Sequence, residues 1–348
     1  MKKTKISFFF GPGGVGKSSL SASLASFYQD KEIKTLIISI DPSLRLKQLF
    51  SLPSTLQEFG LINNIQSYPH LDLFLMDGAW VVKNIINSKD LPFNIEKLKL
   101  LNVITQRLGG LNEILAYLTL YHFYQSNKYE RIIIDTAPGG HFLDFFQSVN
   151  RIESFFEEKL IKIFDRVISK NSKNNFFSKI IDHSMHKLFH YLEVLAGNTF
   201  VVDFIESIMA VYGLKDQFRK TLELNAILKN PEITQYYLVA TPERSNEKYI
   251  IGLQNEIQSR VGFSPTLILN QSATNLINKD LQDSYWQQNQ DDITRWKNYL
   301  AQLTKREIAL TAALFPNFKQ IIQIPLLPIS NIETTLRSFH PYWGQHEF

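Results

Sequence analysis

Eight residues near the start of the chain, Gly11-Pro12-Gly13-Gly14-Val15-Gly16-Lys17-Ser18, fit the spacing G-x-x-x-x-G-K-[ST] and restrict the fold more than any other stretch. The spacing has chemical meaning only where a buried strand enters the loop and a helix leaves it. Both flanks are present: an apolar run, Ile6 to Phe10, precedes the loop, and Ser19 to Tyr28 carries a helical pattern after it. In that setting the amides of Gly11, Gly13, Gly14, Val15 and Gly16, with those of Lys17, Ser18 and Ser19 at the helix start, donate to phosphate oxygens. Lys17 neutralises the terminal phosphates and Ser18 supplies a hydroxyl to Mg2+. The same letters contain Gly11-x-Gly13-x-x-Gly16, the dinucleotide fingerprint, with Asp41 where a ribose-binding acid stands. Lys17-Ser18 argues against that second reading, because a dinucleotide needs neither.

Strand-like runs recur at Ile6 to Phe10, Thr35 to Ile40, Leu71 to Met76, Arg131 to Ile134, Tyr236 to Ala240, Thr266 to Leu269 and Ile321 to Ile324. Most are separated by longer segments of helical spacing, the pattern of a mostly parallel sheet flanked by helices, so the expected class is α/β, a P-loop NTPase. From about Phe142 to Leu228 that rhythm stops. Ile152, Phe155, Phe156, Leu160, Ile163, Phe164 and Val167 follow helical spacing there, as do Val201, Phe204, Ile205, Ile208, Met209 and Tyr212. The expected organisation is a P-loop domain of residues 1–141 and 229–348 with a helical subdomain of residues 142–228 inserted in it, itself interrupted by a polar loop at Lys170 to Asn175.

Several classes of function are excluded or disfavoured. The chain has no cysteine, so disulfides and thiolate metal sites, including thiol capture of arsenite, are ruled out. The apolar start breaks at Gly11 before it reaches the length of a signal-peptide core, and no apolar run approaches a membrane span. The expected location is the cytoplasm, at most peripheral to a membrane, with no integral membrane segment. A net charge of +4, dispersed along the chain, gives no footprint for nucleic acid.

Two carboxylates follow strand-like runs: Asp41 in Asp41-Pro42-Ser43-Leu44-Arg45, and Asp135 in Asp135-Thr136-Ala137-Pro138-Gly139-Gly140-His141. Ligands of open parallel sheets collect at the carboxyl ends of strands, so both can converge on phosphate and Mg2+. Glycine points the same way. Of 15 glycines, six lie in the loops Gly11 to Gly16 and Gly139 to Gly140, where backbone is expected to approach a ligand closely.

With these motifs in order, the chain resembles the arsenite-pump and tail-anchored-protein-targeting ATPases, dimeric relatives of the MinD and nitrogenase iron-protein type. The resemblance also takes in Gly110-Leu111-Asn112-Glu113, Thr241-Pro242-Glu243, Asn270-Gln271 and Pro325-Leu326-Leu327-Pro328. It implies ATP and Mg2+ as ligands. Asp41 would polarise the attacking water and, with Ser18 and Asp135, belong to the metal site; Gly140 would move as a switch, and His141 would order that switch. Asn270 would meet the adenine edge, with Pro325, Leu326 and Pro328 covering the base. The plain alternatives are a helix cap for Asp41 and a turn residue for Asn270.

The chain also departs from the family. Pro12 stands where relatives carry a lysine that reaches across the dimer, so hydrolysis by a homodimer should be slow unless another cation substitutes. Arg45 is one candidate, its alternative being a solvated helix-start arginine; the other is a lysine-bearing paralogue in a heterodimer. Gly139 replaces a threonine and Leu44 a histidine, and the zinc-clamping cysteine pair is missing. By the same resemblance the helical insert would offer an apolar surface to a hydrophobic protein client, although such stripes are more often core. Phe176-Phe177 are the best candidates for exposed contacts. The expected function is a dimeric ATPase that opens and closes a helical partner surface; the alternatives are a weakly hydrolysing regulatory subunit and a dinucleotide-dependent oxidoreductase.

Overall fold

The computed structural model describes residues 4–40, 45–53, 59–63, 65–85, 111–136, 146, 223–242, 246–272, 290–327 and 332–344. Its strands are β1 (Lys5–Phe10), β2 (Thr35–Ser39), β3 (Gly60–Ile62), β4 (Leu71–Leu75), β5 (Arg131–Asp135), β6 (Thr234–Ala240), β7 (Thr266–Ser272) and β8 (Ile321–Pro325). Its helices are α1 (Lys17–Asp30), α2 (Arg45–Leu49), α3 (Gly78–Asn84), α4 (Leu111–Gln125), α5 (Glu223–Leu228), α6 (Glu247–Val261), α7 (Gln290–Leu314), α8 (Ile332–Ser338) and α9 (His340–Gly344).

The strands form one sheet in the order β3-β4-β2-β5-β1-β6-β7-β8, parallel throughout except for β3 against β4. All seven expected strands are therefore present and the class is α/β. β3 has no counterpart among them: three residues carry too little periodicity to stand out. β1 lies at the centre, pairing with β5 and β6, and is fully buried from Ile6 to Phe10, which explains its unbroken apolar run. Phe8 stacks on Tyr236 at 5.2 Å and Phe9 on Tyr237 at 4.8 Å, so successive β1 residues lock β6 from opposite faces.

The chain divides into two compact units, Met1–Asp77 with Phe123–Leu143 and Ala226–Phe348, and Gly78–His122 with Asp144–Asn225. The first contains the whole sheet. Its core joins Phe9, Ile37, Leu73, Ile133, Val239 and Ile268 from the sheet to Leu20, Leu24 and Phe27 of α1, to Leu336 of α8, to Trp343 of α9 and to Phe339 between them. Helix α1 is rich in Ser and Ala, small enough to seat closely on the sheet. Ser23 Oγ donates to Leu336 O at 2.7 Å and accepts from Trp343 Nε1 at 3.0 Å, fixing α8 and α9 across it. Helix α6 is bounded by local chemistry: Asn246 caps its start by accepting from Tyr249 N at 3.4 Å, and Gly262, at φ +88°, ends it.

Of the second unit, the described residues are α3, most of α4, the start of α5 and Phe146. Within it the Tyr121 hydroxyl donates to Glu223 Oε2 at 3.0 Å. The expected polar loop at 170–175 and Phe176-Phe177 lie outside the described residues. Among the described residues no helix is long and apolar enough to cross a membrane.

Candidate functional site

The carboxyl edge of the sheet carries the site. β1 ends at Phe10 and turns directly into the loop that leads to α1. Three of its glycines adopt backbone that L-residues avoid: Gly11 at φ +143°, Gly14 at +75° and Gly16 at +94°. Gly11 is demanded by space as well. A Cβ there would stand 2.3 Å from the Val239 carbonyl oxygen on β6, so only glycine lets the loop leave β1 along this path. Gly13 is exposed and Val15 fully buried, anchoring the loop to the core that Leu20 and Leu24 share.

Gly16 forms the left-handed entry to α1, and no side chain caps the helix. The amides of its first turn, from Lys17, Ser18 and Ser19, consequently belong to the loop rather than to a capping hydroxyl. Lys17 is buried, and its Nζ donates to Gly11 O at 3.1 Å and Pro12 O at 2.8 Å. The ammonium is thereby held across the mouth of the loop. Glycine amides, a helix start and one lysine in this arrangement form a cradle for phosphate.

Asp135 terminates β5, in register with Phe9 of β1 and Ser39 of β2, and is buried. It is set by its neighbours: Thr136 Oγ1 donates to Phe9 O at 2.8 Å, and Ile40 N donates to Asp135 O at 3.0 Å. The strand ends leading to the loop, to Asp135 and to Asp41 are thus adjacent. A glycine loop with Lys17 across it, at the end of the strand paired with the one that carries the buried Asp135, and with Ser18 partly buried at the helix start, fits a Mg2+-bound triphosphate. Asp41, Gly139, Gly140, His141 and Pro328 lie outside the described residues. Arg45, the first residue of α2, is solvent-exposed.

Asn270 comes from the end of β7 and is buried against the loop, its Nδ2 donating to Val15 O at 2.9 Å. Pro325 ends β8 opposite Ser272, and Leu326, largely exposed, donates its N–H to Ser272 O at 2.9 Å. Loop, Asp135, Asn270, Pro325 and Leu326 therefore share one sheet edge. Two contributors escaped the sequence reading. The Val239 carbonyl acts through its backbone and leaves no trace in residue type. Thr136 stood in the motif, but nothing marked its hydroxyl as the group that fastens β5 to β1.

The model of the family described as "Anion-transporting ATPase" matches residues 4–314. An "ATPase ASNA1 homolog" of Plasmodium chabaudi chabaudi is 26% identical over 351 residues, covering 94% of this chain and 83% of that protein. A protein of the same description from Cryptosporidium parvum (strain Iowa II) is 26% identical over 244 residues, which span 70% of this chain and 58% of the relative. "ATPase GET3B" of Arabidopsis thaliana is 28% identical over 193 residues, 49% of this chain and 46% of that protein.

Proposed function

The chain belongs to the anion-transporting ATPase family, and from that premise we propose a dimeric ATPase whose nucleotide cycle opens and closes a helical surface for a hydrophobic protein partner. The observation that carries the reading is the cradle, in which Gly11 and Gly16 have no room for a side chain and Lys17 is held across the opening. The amides of Gly11, Gly13, Gly14, Val15 and Gly16 and of Ser18 and Ser19 would bind phosphate, and Lys17 would neutralise its charge. Ser18, Asp135 and Asp41 would hold Mg2+, which when bound neutralises charge on the phosphate oxygens. Asp41 would polarise the attacking water. Asn270, Pro325, Leu326 and Pro328 would line the base. Lys17 inside the cradle, together with the family, favours a triphosphate over a dinucleotide.

The client surface in this reading is the helical segment 142–228, and the working state is a homodimer or a heterodimer. Pro12 gives the reading its main tension, because proline supplies no cation to a partner subunit. Arg45, exposed at the start of α2, is available to supply one; a lysine-bearing paralogue is the other source. A second reading, a regulatory subunit that binds ATP and scarcely hydrolyses it, rests on that same proline.

Phosphate release by the wild type and by Asp41→Asn distinguishes the two. A catalytic subunit releases phosphate steadily, and Asp41→Asn lowers the rate by at least about a hundredfold, as loss of a group acting on the transition state does. Tight ATP binding with no release by either protein would support the regulatory subunit and sink hydrolysis.

A further inference from the structure

The end of β7 is built unlike the rest of the strand. Gln271 has φ +59°, the left-handed region that costs a residue with a side chain about 1 kcal/mol or more. The pairing of β7 with β8 shifts register between Leu269 and Ser272 around it. Bulges of this kind recur where a strand must present a side chain to a site. Here the two flanking residues make the contacts. Asn270 Nδ2 donates to Val15 O at 2.9 Å, and the same nitrogen would lie 2.5 Å from a Cβ placed on Gly16. On the far side Ser272 Oγ donates to the buried Glu307 of α7, while Leu326 N donates to Ser272 O at 2.9 Å.

Val15 O can only accept a hydrogen bond, which fixes the Asn270 amide with its nitrogen toward the loop. An amide has two N–H groups and one carbonyl oxygen, so one donor is committed to the loop whatever the others meet. The contact falls immediately before Gly16, where the loop becomes α1 and the helix-start amides of Lys17, Ser18 and Ser19 follow. Bulge, buried amide and absent Cβ at Gly16 thus act at one point of the backbone.

We propose that Asn270 is a positioning residue for the phosphate loop: it holds the Val15–Gly16 peptide in register so that the amides beyond it converge on a polyphosphate. Its second neighbour, Ser272, ties the same strand end to Leu326 and Glu307, so the loop's shape is set jointly by β7, β8 and α7. The role rests on the nucleotide site proposed above, and it is separate from lining the base, because it acts on the phosphates through the loop and uses only the N–H given to Val15 O.

Calorimetric titration of the full chain with ATP and with inorganic tripolyphosphate, each with Mg2+, tests it. Asn270→Leu keeps the branched heavy-atom count of the side chain and removes the donor; Asn270→Ala removes both. Each variant should lose about tenfold in affinity for tripolyphosphate, the effect of one buried hydrogen bond, and at least as much for ATP. If ATP binding weakens while tripolyphosphate binding stays at the wild-type value, Asn270 reads the base and the proposal is wrong. If Asn270→Leu binds both ligands as the wild type does, the residue only fills space, and the proposal is equally wrong. Should Asn270→Ala fail to fold, Asn270→Leu alone decides. A wild type that binds neither ligand overturns the nucleotide site itself, a result separable from the other two.

Discussion

At the scale of single residues, the phosphate loop is governed by what cannot be there. Gly11 combines φ +143° with a position where an added Cβ would stand 2.3 Å from the Val239 carbonyl oxygen, and carbonyl backbone in a central strand cannot withdraw. Gly11→Ala should therefore displace the loop from β6 rather than be absorbed. We expect a stability loss of about 1–3 kcal/mol from strain and overpacking, measured by urea unfolding, together with loss of at least about tenfold in ATP affinity. An alanine variant that binds ATP at wild-type strength would mean that β6 does not set the loop. The glycine spacing was plain in the sequence because phosphate binding and close approach ask for the same residue. The partners of those glycines were not, since Val239 acts through its carbonyl and Asn270 lies some 255 residues away.

At the scale of elements, α1 connects the site to the remainder of its unit. One face rests on Phe9 and Ile37, and α8 and α9 close over it. Trp343 meets Phe9 edge-on at 6.0 Å, contacts Tyr237 at 6.0 Å and bonds Ser23. Trp343→Ala removes a fully buried aromatic and one hydrogen-bond donor, so a cost of about 3–5 kcal/mol is expected, read as a lower urea midpoint at unchanged slope. A loss well under about 1 kcal/mol would show that α9 is not part of the cooperative unit. Helix and strand existence was legible here because buried parallel strands read as continuous apolar runs. The packing of α8 and α9 on α1 was not. Nothing in residues 332–344 names the helix they cover, and amphipathic pattern gives a buried face without its partner.

At the scale of the molecule, the sheet is chemically polar along its strands. Its carboxyl edge gathers the groups proposed above to bind phosphate, whereas the amino edge holds the ion-pair cluster around Asp72. Asp72 of β4, only 1% exposed, accepts from Tyr129 Oη at 2.7 Å and from Lys128 Nζ at 2.9 Å, and pairs with Lys34 at 3.2 Å. These partners lie just ahead of β5 and β2, so one carboxylate ties three strand entries together. Burial by itself would raise the Asp72 pKa; the Tyr129 and Lys128 hydrogen bonds and the charges of Lys34 and Lys128 outweigh it, leaving the carboxyl below its ordinary value. A folded-state pKa below the unfolded one means that the stabilisation is complete above the unfolded value, about 4, and is lost as pH falls through the lower folded value. Asp72→Asn should cost about 1.5–3 kcal/mol at neutral pH and flatten the acid limb of the stability curve. Parallel pH curves for the two proteins would show that the cluster carries no pH dependence. Its members are 38, 56 and 57 residues from Asp72, too far apart for the sequence to announce them as a set.

The clasp between α1 and the late helices also has a temporal side. Ser23 and Leu336 are separated by 313 positions, yet the cover of the nucleotide helix depends on their meeting. On a ribosome elongating at about 5–20 residues per second, the segment that begins with the lysine loop waits about 15–60 s for its lid to be synthesised. Throughout that interval Ser23 lacks the Trp343 indole that donates to it in the finished fold. The packing of α1 under α8 and α9 is thus acquired late, as a finishing step of translation rather than an early one.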